Sequence, residues 1–309
     1  MSCILILGTG GTIAGTACDP ARSWAYHAAQ LSVDQLVAAV PELAGQSLST
    51  RQVAQVDSKD MGWRTWQALG LAIEEALADA EVGAIVVTHG TDTLEETASL
   101  LHALHDGGKP IVLTAAMRPA TAPDADGPAN LALAVRVARD AAQRGQGGVV
   151  ACLAGRTWSA RDVRKAHSHA IDAFDGGGAP ALADGEAWPQ PESRGWRLLR
   201  ADSPPRVEVV TSHADADGWW VDAALAHARA GGEALGGLVV ACTGHGTVHA
   251  GLEAALQRAS AAGVVVWRSS RVARGGVLSR EGDAWPAAGA WTPAQARVRL
   301  QLDLLSARL

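Results

Sequence analysis

The chain is poor in several residue types whose abundance marks common protein classes. Its 309 residues include one tyrosine, one phenylalanine and four cysteines, although there are eleven tryptophans. The cysteines show no paired spacing, so we expect free thiols in a reducing compartment and no disulfide framework; they are Cys3, Cys18, Cys152 and Cys242. Tyr26 is the one phenol available to any chemistry that needs such a group.

Strong charge and an export signal are also missing. The net charge of −6 gives no electrostatic footprint for nucleic acid or for an anionic membrane. Met1 is followed almost at once by the strand-like run Cys3–Leu7, without the basic and long apolar regions of an export signal. We therefore predict a cytoplasmic protein whose partner is a small molecule, with no nucleic acid and no membrane involved.

Several motifs of well-known enzyme classes are absent. In the turn Gly8–Gly15 the third glycine of a dinucleotide fingerprint would fall at Ile13, and neither Lys-Ser nor Lys-Thr follows as in a phosphate-binding loop. No Gly-x-Ser-x-Gly elbow of a serine hydrolase occurs. No carboxylate or cysteine cluster accompanies the histidine pairs, so we predict no metal site; the pairs are His102/His105, His167/His169 and His245/His249.

The hydrophobic pattern alternates between strands and helices along the chain. Val82–Thr88 is a short, nearly unbroken apolar run, which is typical of a strand covered on both faces of a parallel sheet. Trp66, Leu69, Ile73 and Leu77 recur at helical spacing, which predicts a helix packed on that sheet. The pattern predicts an α/β fold with a mostly parallel sheet and right-handed crossovers.

The same pattern predicts a division into two domains. A Pro-, Arg- and Ser-rich stretch without periodicity predicts a linker at residues 190–205. Before it, residues 1–189 would form a larger N-terminal domain with helices flanking a mostly parallel sheet. After it, residues 206–309 would form a smaller C-terminal α/β domain, whose last helix begins near Thr292.

Hydroxyl and carboxylate side chains follow directly after the strand at Val82–Thr88. Asp92, with Glu95 three positions later, makes a capping-box pattern, so we predict a helix start there. Its positive dipole end would face the carboxyl edge of the sheet, where open α/β sheets bind ligands. The alternative interpretation is that Thr91, Asp92 and Thr93 only cap the helix.

Two further hydroxyl groups are predicted at strand ends. Thr12 follows the first strand beside glycines that let a substrate approach the backbone closely. Ser58 follows a predicted strand at Gln52–Val56. The segment Thr16–Gln30 has no clear period and predicts a mobile loop that carries Tyr26. A purely structural turn threonine followed by a plain loop is the alternative.

A basic cluster at Arg161–Lys165 has two interpretations. The simpler one is a solvated surface charge run. If Lys165 is instead buried next to a hydroxyl and a carboxylate, it can give up its proton and act as a base, and Thr91 with Asp92 would supply those partners. The spacing alone leaves both interpretations open.

Two segments together resemble the signature sequences of the bacterial-type L-asparaginases, namely Gly10–Gly15 and Thr88–Thr97. The resemblance implies hydrolysis of the side-chain amide of L-asparagine to L-aspartate and ammonia, with no cofactor. It also implies a homotetramer built from paired dimers, with sites between paired subunits. Further resembling segments follow in order along nearly the whole chain, namely Asp57–Met61, Ala116–Pro119, Ala125–Pro128, Gly155–Lys165, Arg268–Val272 and Thr292–Val298.

The resemblance also implies roles for individual residues. Thr12 resembles the family's nucleophile and Tyr26 the residue that helps to activate it, while Thr91, Asp92 and Lys165 resemble a second threonine's proton relay. The segment Gly275–Asp283 is shorter than the family's loop that carries an acidic residue into the neighbouring site. The substrate-binding positions implied are Gly11, Asp57, Ser58, Thr91, Asp92, Ala116 and Glu281, with Asp283 as the alternative to Glu281.

Three other functions remain open at this point. One is a related amidase that prefers glutamine, and another is the transamidation of charged tRNA, which usually needs an extra N-terminal domain. The third is a non-catalytic amino-acid-binding or sensor protein that uses the same cleft. The presence of Thr12, Thr91 and Lys165 together favours catalysis.

Overall fold

A six-stranded sheet forms the centre of the first of two units in the computed structural model, which describes residues 2–19 and 25–309. The first unit is Met1–Arg200 and the second is Ala201–Leu309. All neighbouring strands of this sheet are parallel except the last pair. In spatial order the strands are β4 (Leu48–Val56), β1 (Cys3–Gly10), β5 (Val82–Thr88), β6 (Pro110–Thr114), β7 (Gly148–Leu153) and β8 (Arg156–Ser159).

Helices cover both faces of this sheet. On one face, α1 (Val33–Ala38) and α4 (Gly127–Gln143) bury a cluster that includes Ile6, Val86 and Val112. On the other lie α2 (Trp63–Ala78), which contacts β4, β1 and β5, and α3 (Leu94–Leu104), which contacts β7. Strands covered on both faces need apolar side chains at nearly every position, which explains the unbroken apolar runs in the sequence.

The strand order places a topological switch point between β1 and β5. The chain passes from β1 to β4 on one side of it and then to β5 on the other side. The two strands are paired in parallel, with Gly8 opposite Thr88. In open α/β sheets the crevice beyond the carboxyl ends of two such strands is where ligands bind. Thr12 and Thr91 follow these two strand ends in the sequence.

The second unit contains a three-stranded parallel sheet, in the order β11 (Val207–Thr211), β12 (Gly237–Cys242) and β13 (Val265–Ser270). One apolar cluster joins this sheet to α5 (Trp219–Arg229) and α6 (Ala250–Ala261). A second cluster joins it to α7 (Pro293–Ser306). The α/β class, with a mostly parallel sheet in the larger part and a smaller α/β part, is confirmed.

Short elements complete the first unit. β2 (Thr16–Ala17) and β3 (Tyr26–His27) pair in antiparallel fashion, as do β9 (Arg164–Lys165) and β10 (Phe174–Asp175). A 3-10 helix at Trp196–Arg200 packs against α2. The linker at residues 190–205 and the domain limits drawn from it stay predictions. Among the described residues, none of the helices combines the length and the apolar character needed to cross a bilayer.

Four strands have the limits predicted from the sequence, and the early start of β4 has a physical cause. The short runs Val82–Thr88, Pro110–Thr114, Gly148–Leu153 and Val207–Thr211 predict strands, and β5, β6, β7 and β11 have these bounds. β4 begins at Leu48, four residues before the predicted Gln52, because it is an edge strand whose polar and partly exposed residues give no continuous apolar run. The α7 start is confirmed, since Thr292 and Gln295 form a complete capping box.

The predicted helical stripe on α2 generates a stability test. Leu69 is fully buried and Leu71, two residues later on the same helix, is 55% exposed. Leu69→Ala should lower the free energy of unfolding by about 2–5 kcal/mol, because it leaves a cavity in a packed core. Leu71→Ala is the matched control and should cost less than about 1 kcal/mol. Urea unfolding of both variants checks this, and equal losses would contradict the assigned burial.

Candidate active site

Thr12 and Tyr26 meet at the end of the first strand. Thr12 opens a 3-10 turn, Thr12–Ala14, directly beyond β1, and its side chain is buried. Its Oγ1 lies 2.7 Å from the Tyr26 hydroxyl oxygen, so the two groups share a hydrogen bond. Tyr26 lies on β3, which pairs with β2. The loop predicted at Thr16–Gln30 includes residues 20–24, which lie outside the described residues.

The turns after β1 and β5 touch through two glycines. Gly11 has a φ of 82°, which disfavours any other residue type. A Cβ atom at Gly11 would lie 2.3 Å from the Gly90 Cα atom, and a Cβ atom at Gly90 would lie 2.4 Å from Ser58 Oγ. Neither position has space for a side chain. The absence of both side chains lets the two turns that carry Thr12 and Thr91 approach closely.

Lys165 is hydrogen-bonded to Thr91, the threonine that follows β5. Its Nζ atom donates to Thr91 Oγ1 at 3.0 Å and to Asp92 Oδ1 at 2.6 Å. The Lys165 side chain is 19% exposed, whereas the Asp92 side chain is 53% exposed. Of the two interpretations of the Arg161–Lys165 cluster, the structure therefore supports a lysine held next to a hydroxyl and a carboxylate, and this lysine is partly buried.

The predicted capping box at Asp92 and Glu95 is wrong. Helix α3 begins at Leu94, and Thr93 occupies the capping position without a side-chain capping bond. The Glu95 carboxylate accepts a hydrogen bond from the Lys165 backbone N–H at 2.8 Å. Since Asp92 pairs with Lys165 Nζ, both carboxylates contact Lys165 and neither caps the helix. The sequence pattern cannot distinguish these uses, because Lys165 is seventy residues away from Glu95.

Ser58 and Asp57 lie beyond the end of β4. Ser58 is buried, and its Oγ accepts from the Asp92 backbone N–H at 3.2 Å while its carbonyl accepts from Thr93 Oγ1 at 2.8 Å. Asp57 caps the short 3-10 helix Ser58–Asp60 and contacts Lys59 Nζ at 2.9 Å. Ser58 thus connects the β4 end to the turn that carries Asp92.

A cavity of about 450 Å³ lies beside the turns that carry Thr12 and Thr91. Predicted site residues supply five of its lining side chains, and four others were not predicted from the sequence. The first set is Thr12, Tyr26, Thr91, Asp92 and Lys165, and the second is Met117, Arg118, Ser168 and His169. A larger cavity of about 520 Å³ lies between the helix Pro41–Leu43 and α4, and it contains none of the predicted site residues.

His89 is a buried polar residue that the sequence did not single out. Trp66 Nε1 donates to Thr97 Oγ1 at 2.9 Å, and Thr97 Oγ1 lies 3.0 Å from His89 Nε2. His89 Nδ1 lies 2.7 Å from the Gly90 carbonyl oxygen, which can only accept, so Nδ1 carries the proton. Burial lowers the pKa of His89 to about 4, so the ring is neutral at pH 7. The neutral ring fixes the Gly90 carbonyl beside Thr91.

The remaining predicted positions are Ala116, Glu281 and Asp283. Ala116 is fully buried beyond the end of β6. Glu281 lies in an exposed turn of the second unit. Asp283 accepts from the Arg280 backbone N–H at 2.7 Å and pairs with Arg268 within its own unit, and these contacts hold the pKa of its carboxyl below the usual value. The binding roles of Glu281 and Asp283 stay predictions.

The described histidines do not assemble into a metal-binding group. Across residues 2–19 and 25–309, no set of three His, Cys, Asp or Glu side chains is arranged to hold a metal ion. His167 and His169 pack edge to face with ring centroids 4.6 Å apart. His245 contacts the Leu278 backbone N–H, and His105 contacts the Lys109 carbonyl.

Comparisons with known proteins cover both units. The family described as Asparaginase, N-terminal matches residues 3–190, and the Glutaminase/Asparaginase C-terminal domain matches residues 206–307. A probable periplasmic L-asparaginase from Haemophilus influenzae is 37% identical, over 97% of this chain and 88% of that protein. The chain belongs to the bacterial-type asparaginase/glutaminase family. It is therefore an amidohydrolase of that family.

Other members of the asparaginase/glutaminase family show the same extended similarity. A glutaminase-asparaginase from Pseudomonas fluorescens is 35% identical over 97% of this chain and 86% of that protein. The structure of a probable cytoplasmic L-asparaginase from Campylobacter jejuni superimposes with a TM-score of 0.88 at 33% identity, over 98% of this chain and 95% of that one. These family members differ in the compartment and in the substrates that their names give.

The buried His89 generates a prediction about pH and stability. Its pKa is about 4 in the folded protein and about 6.5 in an unfolded chain, so below pH 6.5 the unfolded state binds more protons and stability falls as pH falls. Between pH 7 and pH 5 this residue should remove about 2 kcal/mol of unfolding free energy. In His89→Gln that part of the pH dependence should vanish. Urea unfolding at both pH values measures it, and an unchanged pH dependence in the variant would contradict the assignment.

Proposed function

We propose that the protein hydrolyses L-asparagine to L-aspartate and ammonia through a threonine nucleophile, without a cofactor. The observation that carries the proposal is the arrangement around one cavity. Two threonine hydroxyls line it, one 2.7 Å from the Tyr26 hydroxyl and the other 3.0 Å from Lys165 Nζ. A threonine hydroxyl is a poor nucleophile unless another group takes its proton, so such paired partners are what amide hydrolysis needs.

In the first half of the proposed reaction, Thr12 Oγ1 attacks the carbon of the substrate's side-chain amide. Tyr26 assists removal of the hydroxyl proton, because its oxygen is the group in hydrogen-bond contact with Thr12 Oγ1. The proton removed from Thr12 passes to the amide nitrogen, the C–N bond breaks and ammonia leaves, so that an ester between Thr12 and the aspartyl group remains. The backbone N–H of Thr91 makes no hydrogen bond to a described residue, and we assign it to the oxyanion.

In the second half, water hydrolyses the ester with help from the second threonine. Lys165 starts this step uncharged and takes the water proton through Thr91, with whose hydroxyl it is in direct contact. The ester C–O bond then breaks, and the proton returns through Thr91 to Thr12 Oγ1, which restores the starting state. Asp92 lies 2.6 Å from Lys165 Nζ and stabilises the lysine when it is charged. The cavity is polar where these groups meet, and the lysine side chain is largely removed from water.

Substrate binding is assigned to groups around the same turns. Ser58 and Asp92 would hold the α-carboxylate and α-amino groups, with Gly11 and Asp57 completing this end of the site. The backbone near Ala116 would contact the amide. Ser58 Oγ and the Asp92 backbone are already joined at 3.2 Å, which supports their action as one binding surface.

The preference between asparagine and glutamine is the finer part of the proposal. The family contains proteins named L-asparaginase and others named glutaminase-asparaginase, so a glutamine-preferring amidase is the second candidate. A coupled ammonia assay with both amides at equal concentrations decides between them. Higher kcat/KM on asparagine supports the proposal, and higher kcat/KM on glutamine supports the second candidate. If neither amide gives ammonia, the remaining candidate is a non-catalytic amino-acid-binding protein.

The assembly and compartment are also proposals. We infer a homotetramer of paired dimers in which Glu281 reaches a neighbouring chain's site, with Asp283 as the alternative. The exposure of Glu281 and the pairing of Asp283 with Arg268 favour Glu281. A cytoplasmic location is supported by the name of the Campylobacter jejuni relative and opposed by that of the Haemophilus influenzae relative.

Removal of the nucleophile gives the first activity prediction. Thr12→Ala should lower kcat by a factor of ~10³ or more, because the reacting oxygen is lost. Thr12→Ser keeps a hydroxyl at nearly the same place and should retain more activity than the alanine variant. Steady-state ammonia release measures both, and circular dichroism confirms that they are folded. Near wild-type turnover in Thr12→Ala would show that Thr12 is not the nucleophile.

A second activity prediction separates proton transfer at Lys165 from its charge. Lys165→Met should lower kcat much more than it raises KM, because the lysine is proposed to move a proton and not to grip the substrate. Lys165→Arg keeps a charge beside Asp92 but holds its proton at every accessible pH, so it should be about as inactive as the methionine variant. Substantial activity in the arginine variant would show that charge alone suffices.

A further inference from the structure

Asp126 is a carboxylate at a helix start that is not used to cap its helix. It occupies the capping position of α4, where aspartate commonly accepts a hydrogen bond from the first turn. Its side chain makes no such bond. Instead, the carboxylate accepts from the Met117 backbone N–H at 3.1 and 3.0 Å and from the Arg118 backbone N–H at 2.9 Å. These two residues line the candidate active-site cavity.

A second residue of α4 fixes the orientation of this carboxylate. Asn130, one turn along the helix, is 2% exposed and donates from Nδ2 to Asp126 Oδ2 at 3.1 Å and to the Ala115 carbonyl at 2.9 Å. Its Oδ1 accepts from the Ala154 backbone N–H at 2.9 Å. The Asn130 amide therefore connects the ends of β6 and β7 to the carboxylate and leaves it a single orientation.

The same loop is also tied to the Thr12 turn. A Cβ atom at Gly127 would lie 3.0 Å from Ile13 Cγ1 and 3.5 Å from Ala116 Cβ, so the start of α4 packs against the residue after Thr12. The Ala120 backbone N–H donates to the Gly15 carbonyl at 2.9 Å. A displacement of the loop would therefore change its distance from the Thr12 turn.

The carboxylate is suited to hold this loop because only N–H groups compensate its charge. Among the described residues Asp126 forms no ion pair, although Asp124, two residues earlier, pairs with Arg118. Asp126 is nearly buried, and its three N–H donors and the α4 N-terminus balance the charge. Hydrogen bonds to a charged acceptor are stronger than those between neutral groups, so these bonds hold two consecutive N–H groups of the turn in place.

We propose that Asp126 is a positioning residue that holds the turn Ala116–Arg118 at its correct place opposite Thr12 and Thr91. This rests on the proposed function, in which the backbone near Ala116 contacts the substrate amide. A displacement of about 1 Å in such a contact costs roughly 100-fold in rate. The proposal assigns to the loop a role in aligning the amide, not in retaining the substrate.

The test is Asp126→Asn, with Asp140→Asn as the matched control. The asparagine has the same shape but turns an NH2 group toward N–H donors, so part of the hold on the turn is lost. We expect kcat to fall by about 10- to 100-fold while KM changes by less than about threefold. Asp140 is exposed on the same helix, and its variant should keep wild-type kinetics. Wild-type kcat in Asp126→Asn would overturn the proposal.

Amide hydrogen exchange supplies a readout that does not depend on activity. In the wild-type protein the Met117 and Arg118 amides should exchange at least about 100-fold more slowly than in an unstructured peptide, because the carboxylate accepts from them. In Asp126→Asn these two amides should exchange faster by about tenfold or more, with the strands β5 to β7 unchanged. Fast exchange at both amides in the wild type would overturn the proposal, even if the variant does not fold.

Two further outcomes distinguish the positioning role of Asp126 from a role in general stability and from the proposed function. If the kcat of Asp126→Asn falls and exchange rises throughout the first unit, the residue serves general stability and the positioning role is overturned. If the wild-type protein releases no ammonia from asparagine or glutamine, the proposed function fails. Slow exchange that depends on Asp126 would then still support its hold on the turn.

Discussion

The contact between two glycine-containing turns is the constraint on which the rest of the site depends. β1 and β5 are adjacent parallel strands that end beside each other, with Gly8 opposite Thr88. A side chain at Gly11 would collide with Gly90, so the two turns can approach only because neither has one. Thr12 and Thr91 directly follow these glycines. Their hydroxyls therefore reach one cavity from two strands, at the switch point where α/β sheets bind ligands.

The polar groups around this cavity are held in place by backbone contacts. His89 remains neutral and binds the Gly90 carbonyl, Ser58 accepts from the Asp92 N–H, and Glu95 accepts from the Lys165 N–H. Each contact satisfies a buried or partly buried polar atom and also fixes a residue next to a side chain that we propose to react. The hydroxyls of Thr12 and Thr91 are left facing the cavity, with Tyr26 and Lys165 as their partners. Such pre-set geometry is what a catalytic site needs from its scaffold.

Carboxylates near helix starts have an unexpected use in this protein. Asp92 and Glu95 precede or open α3 and both contact Lys165, while Asp126 precedes α4 and binds the turn at Met117 and Arg118. None of Asp92, Asp126 or Thr93 makes a side-chain capping bond to its own helix. A capping pattern is read from neighbours three residues apart, whereas these partners come from other strands and loops. A carboxylate near a helix start therefore predicts a capping bond to the neighbouring helix turn, whereas in this protein it bonds to a residue far away in the sequence.

The sequence alone determined the fold class and the bounds of the central strands β5, β6 and β7, because strands covered on both faces have unbroken apolar runs. The early start of the edge strand β4 leaves no such run and was missed. β5, β6 and β7 were predicted at their observed bounds, and Thr12, Thr91 and Lys165 were predicted as site residues from strand-end position and family resemblance. Only the tertiary structure decided that Lys165 reaches Thr91 and that the Glu95 carboxylate binds the Lys165 backbone N–H instead of capping its own helix. It also decided that Met117, Arg118 and His169 line the cavity. Hydrogen bonds between residues seventy positions apart leave no periodic trace in a chain. They exist only after the sheet order has brought β1, β5 and the loops beyond β8 to a common edge.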